Sequence, residues 1–166
     1  LRSRFRELVS RSYVITPNLT EALLLLYGKE EMEKKWKVLE TMPEAERLEK
    51  IQEIGQRLVL EFSLSAVVIT GVSYRENSQT PKMGNLVLEK EKVSWVFAEK
   101  SGGSYSGTGD LFASVLSAGL VKGYSMETCA HMAVEFISTS IRDAVSEGTD
   151  RNDGVCFEAH LGMLLS

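Results

Sequence analysis

The chain has 166 residues, 43% of them hydrophobic and 25% charged, which is enough to bury a sizeable core in one globular domain. Its formal charge of -4 lacks the basic excess of a protein that tracks a phosphate backbone, so nucleic acid is not expected as a main partner. The longest apolar stretches, such as ALLLLY at 22–27, fall far short of the ~20 residues that cross a bilayer, so no membrane span is expected.

The first residues, LRSRFRELVS, mix charged and apolar side chains at helical spacing and do not read as a secretory signal. A short amphipathic helix over about 2–11 and a cytoplasmic location by default are the expectations. SYVIT at 12–16 has the β-branched and aromatic content of a buried strand, which Pro17 ends. PNLTEALLLLYG then reads as a helix: Asn18 is a good cap, Glu21 stands where a capping-box acid belongs, and Gly28 marks the end. Residues 29–62 are charged and periodic, and Pro43 divides them into two helical pieces with a solvated face. SAVVITG at 65–71 is a second strand with few polar positions, which suits the parallel centre of a sheet. GNLVLEK and KVSWVFAEK follow as a hairpin turning around residues 90–92. Beyond a glycine-rich stretch come a helix over about 108–121 ended by Gly123, a longer helix over about 125–146, the polar loop EGTDRNDG and a short terminal helix. This alternation predicts an α/β fold, with a mostly parallel sheet flanked by helices and carrying an antiparallel hairpin, in a single domain over 1–166.

Two cysteines make no disulfide framework, and reduced thiols are expected. Cys129 with His131 and Cys156 with His160 are ligand types that suit zinc. Residues two apart on a helix point in different directions, however, and METCAHMAVEFI reads as a buried helix in which a thiol is ordinary packing.

In α/β sheets, function gathers where strands end and helices begin. Three polar exits qualify: ITPNLTE, VITGVSY and SGGSYSGTGD. From Gly102 to Thr108 the last runs G-x-x-x-x-G-T, a Walker loop without its lysine, and GTGDLF lacks the final glycine of a dinucleotide fingerprint. What remains is physical. Small residues let backbone N–H groups approach an anion, and the following helix adds the positive end of its dipole. Asp110, in the first turn, reads either as an ordinary helix-terminal carboxylate or as a general base beside a phosphate cradle.

GTGDLFASVLSAGL closely resembles the anion-hole and catalytic-base motif of the ribokinase-like small-molecule kinases. VITPNLTEALLL is similar to the pyridoxal kinase segment carrying N-x-x-E, VVITGV to the strand exit that contacts nucleotide phosphates, and GVCFEAHL to the family's C-terminal ending. Within that superfamily the wording resembles the vitamin B6 kinases. The resemblance implies a ribokinase-like fold and ATP-dependent phosphorylation of the hydroxymethyl group of pyridoxal, pyridoxamine or pyridoxine. It implies Asp110 as the base and the amides of Gly107, Thr108 and Gly109 as the anion hole. It also implies Glu21 with Asn18 at Mg2+ through water, with Thr16, Thr70, Gly71, Ser101, Gly102 and Gly103 at ATP. Gly71 stands where many relatives have serine, which removes one hydroxyl contact. A monovalent cation is compatible with the same family.

A complete kinase of this kind is nearly twice as long. This chain corresponds to its C-terminal half, and Leu1 falls inside what resembles a helix of the full protein. The expectation is a truncated or processed chain whose uncovered sheet edge and apolar face favour self-association. Two other readings stand beside the B6 kinase: a non-catalytic nucleotide-binding or interaction fragment, and a kinase for a related alcohol such as hydroxymethylpyrimidine.

Overall fold

The structure, a computed structural model, describes residues 2–75 and 80–165. The placement of Leu1 in a helix lies outside the described residues. In chain order the elements are α1 (Arg2–Val9), β1 (Val14–Ile15), α2 (Leu19–Tyr27), α3 (Lys29–Thr41), α4 (Glu44–Phe62), β2 (Ala66–Tyr74), β3 (Lys82–Glu89), β4 (Lys92–Glu99), α5 (Thr108–Val121) and α6 (Met126–Glu147), followed by a 3-10 helix (Glu158–Leu164).

The strands form one sheet in the order β1-β2-β3-β4, with β1 parallel to β2 and the other two pairs antiparallel. The α/β architecture with its hairpin is as the sequence predicts, but the sheet is mixed rather than mostly parallel. The physical reason lies in β2. Val67 and Ile69 pack into one helical layer while Ala66 and Val68 pack into the other. Burial on both faces produces an unbroken apolar run whichever way the neighbouring strand points, so the run could not reveal that β3 is antiparallel.

One core layer joins α2, α3 and α4 to Val67, Ile69, Leu86 and Leu88; the other joins α5 and α6 to Ala66, Val68, Val87 and Val96. Cys129 lies in the second layer, fully buried, and burial raises its thiol above the usual range, while Cys156 is exposed. The three helices α2, α3 and α4 form the crossover that a parallel β1–β2 pair requires. Pro43 caps α4 without a side-chain bond, and so divides 29–62 into two helices as expected.

Candidate active site

The end of β1 and the start of α2 are fixed by reciprocal bonds. The Asn18 amide donates to Glu21 Oε2 at 2.9 Å, and the Glu21 amide donates to Asn18 Oδ1 at 2.9 Å, which is a complete capping box. The exit is then locked to β2, since the Thr70 amide donates to the Pro17 carbonyl at 2.9 Å and Asn18 bridges Thr70 in parallel register.

On β2 the register against β3 breaks between Ile69 and Val72, leaving Thr70 and Gly71 opposite Asn85. Gly71 takes φ 72°, a conformation that glycine adopts without strain. Asn85, 6% exposed, holds this bulge from the neighbouring strand. Its Oδ1 accepts from the Gly71 amide at 3.3 Å and its Nδ2 donates to the Val96 carbonyl at 3.3 Å. Sequence reasoning missed Asn85, because a single polar residue inside GNLVLEK gives no signal that it faces a bulge.

The third exit leads from β4 through 100–107 into α5. Gly107, at φ 79°, is the N-cap of α5 and supplies no side-chain cap. Thr108 Oγ1 donates to the Tyr105 carbonyl at 3.0 Å, so its hydroxyl steadies the loop. The Gly107 carbonyl accepts from the Leu111 amide at 3.0 Å, leaving the first-turn amides ahead of Leu111 without an intrahelical acceptor. A Cβ built on Gly107 or Gly109 meets nothing within 4 Å, so the loop is open on the side where these residues lack side chains. Asp110 is exposed, and its carboxylate forms no hydrogen bond with the described residues. Of the two sequence readings, the one in which this carboxylate caps the helix through a hydrogen bond finds no such bond here.

These three exits meet at a cleft of about 520 Å³. Asn18, Thr70, Gly71, Ser101, Gly102, Gly103, Thr108 and Gly109 line it. Glu21 is held to Asn18, and Gly107 and Asp110 flank Thr108 and Gly109, so both carboxylates stand at the same end of the sheet. Thr16, one residue before Pro17, is half-buried and does not line the cleft.

The cleft also has an apolar lining that was not anticipated. Val134, Ile137 and Ile141 of α6 join Met83, Ala98 and Phe112 there. Their spacing along α6 is that of one helix face, a signal visible in the sequence but indistinguishable from core packing. Lys100, on the loop leaving β4, also lines the cleft and adds a cation close to the glycine-rich segment. The lining therefore combines the glycine-rich loop and strand exits with apolar side chains from α5, α6 and the hairpin.

Comparison with known proteins bears on the family and the fold. The sequence profile of the family described as phosphomethylpyrimidine kinase matches residues 1–154. A Bacteroides thetaiotaomicron protein assigned to the phosphomethylpyrimidine kinases shares 25% identity and superimposes with a TM-score of 0.80, covering 99% of this chain and 52% of that one. A second crystal form of that protein, with pyridoxal, gives a TM-score of 0.79 at 25% identity, over 99% of this chain and 53% of that one. Pyridoxal kinase from Lactobacillus plantarum shares the fold at 24% identity and a TM-score of 0.73, over 99% and 53% of the two chains. No curated protein matches the chain. The chain thus spans about half the length of the solved structures it matches. With the profile matched over residues 1–154 and the fold shared with these kinases, the chain belongs to the phosphomethylpyrimidine kinase family, within the ribokinase-like fold.

Proposed function

We propose that the intact protein transfers the γ-phosphoryl group of ATP to the hydroxymethyl group of a B6 vitamer, and that this chain supplies the nucleotide half of the site. The observation that carries the reading is the convergence on one cleft of Asn18, tied to Glu21, and Thr108–Gly109, next to Asp110. The glycine-rich loop and helix terminus suit phosphates, and the apolar side chains suit a flat base.

In this mechanism the substrate hydroxyl gives its proton to the Asp110 carboxylate as its oxygen attacks the γ-phosphorus, and ADP leaves with the electrons of the broken P–O bond. The amides of Gly107, Thr108 and Gly109 donate to the phosphoryl oxygens, where charge is spread in the transition state. Thr70, Gly71 and the 101–103 loop hold the rest of the polyphosphate, with Thr16 supporting the exit from behind. Glu21 fits a divalent cation: Oε2 is taken by the Asn18 amide, which leaves Oε1 available as a hard oxygen donor. Mg2+ held there through water, with Asn18 beside it, would neutralise phosphate charge. A monovalent cation and association into oligomers are compatible with this reading.

A second reading has its own support, because the matching family is the phosphomethylpyrimidine kinases. In it the acceptor is a hydroxymethylpyrimidine, and every residue of this chain keeps its role. A coupled assay of the full-length protein, with pyridoxal, pyridoxamine, pyridoxine and hydroxymethylpyrimidine each offered with MgATP, separates the cases. Turnover of a B6 vitamer is expected. Turnover of the pyrimidine alone selects the second reading. ATP binding without transfer to any of the four returns the protein to a non-catalytic nucleotide-binding role.

A further inference from the structure

We infer that Arg151, in the loop after α6, is a further phosphate-binding residue of the cleft, directed at the polyphosphate of the nucleotide. The inference rests on the nucleotide reading above and adds a residue to it. The guanidinium lies against Gly103 of the glycine-rich loop. A Cβ placed on Gly103 would come within 2.6 Å of Arg151 Nη1 and 2.8 Å of Nη2, so the guanidinium occupies the space that the missing side chain of Gly103 leaves open. The backbone ties the same two segments together: the Ser106 amide donates to the Arg151 carbonyl at 2.9 Å.

Arg151 has no carboxylate partner among the described residues, although Asp150 and Asp153 are near in sequence. Nor does its guanidinium donate a hydrogen bond to any described group. An arginine presents five donors in a fixed fork that matches phosphate geometry. Arg151 is itself exposed and does not line the cleft, but its guanidinium lies against Gly103, which together with Gly102 does. The chain as a whole carries a formal charge of -4, so local cations add to the α5 amides in drawing a polyphosphate to this end of the sheet. Lys100 is one, already in the wall of the cleft. Arg151, against Gly103, is the second.

The test compares the full-length protein with its Arg151→Ala and Arg151→Lys variants, by calorimetric titration with MgATP and with adenosine. The expected result is that Arg151→Ala weakens MgATP roughly tenfold or more, the scale of a lost charge-assisted hydrogen bond. Adenosine affinity stays unchanged, and the ligand-free melting temperature does not move. Arg151→Lys should fall between, keeping charge but losing the fork. Equal MgATP affinity in wild type and Arg151→Ala would overturn the assignment while leaving the nucleotide reading intact. A parallel loss of MgATP and adenosine affinity would overturn it too, since it would mean that Arg151 only shapes the loop. A wild-type full-length protein that binds neither ligand would overturn the nucleotide reading itself, and the role of Arg151 with it.

Discussion

Asp110 is the residue on which the two explanations of the glycine-rich motif part company. A carboxylate in the first turn of a helix needs no function, because it complements the helix dipole. In this structure Gly107 is the N-cap, and the Asp110 side chain bonds to none of the described residues. Asp110→Asn in the full-length protein keeps the size and polarity of the side chain and removes the proton acceptor. Turnover is expected to fall by ~100-fold or more, the usual scale for a general base, while nucleotide affinity stays within a few-fold. If the residue served only the helix terminus, the same change would alter stability by at most ~1 kcal/mol and leave phosphorylation intact. Steady-state kinetics paired with nucleotide titration decide between them, and near-normal turnover by the Asn variant would remove Asp110 from the chemistry.

At the scale of elements, the site is made by a strand that is interrupted where it matters. The bulge at Thr70 and Gly71 exists because Asn85, on the adjacent strand, replaces a ladder partner with its own side-chain amide. Asn85→Ala would remove the side-chain acceptor of the Gly71 amide and the side-chain donor to the Val96 carbonyl, which keeps its ladder bond to the strand opposite. A loss of ~1 kcal/mol is expected, the net scale of ordinary hydrogen bonds, because the bonds at 3.3 Å are long. Freed from Asn85, the bulge should also shift, so MgATP affinity should drop by several-fold while the secondary structure persists. Chemical denaturation together with nucleotide titration checks both halves; an unchanged midpoint and affinity would show that the bulge does not depend on this side chain. The bulge also marks the limit of what the sequence makes legible. Capping at Asn18 and Glu21, the break at Pro43, the hairpin, and α5 and α6 to within a residue or two follow from local chemistry, because caps, prolines and periodicity act within a few positions. The direction of β3, the partner of Gly71 and the apolar wall from α6 depend on contacts between distant segments, and no local pattern encodes them. The same holds for Arg151, which meets Gly103 from 48 positions away.

At the scale of the whole molecule, the sheet ends on β1, whose outer side has no strand partner among the described residues. Tyr13, just before β1, is 62% exposed, and Phe5 and Leu8 on the adjoining α1 are 57% and 63% exposed. The chain spans about half the length of the solved relatives. An open strand edge next to exposed aromatic and aliphatic side chains is a template for pairing with another copy. A net charge of -4 opposes association only weakly at physiological ionic strength, where surface charges are screened beyond about 8 Å. The isolated chain is therefore expected to self-associate, with a mass that rises with concentration in light scattering coupled to size exclusion. Replacing Phe5 and Tyr13 by lysine should shift it toward monomer without moving the far-ultraviolet spectrum, since both side chains are exposed and the substitutions add charge beside the edge. A wild-type chain that stays monomeric across the accessible concentration range would mean that an edge of two residues, Val14 and Ile15, is too short to recruit a partner.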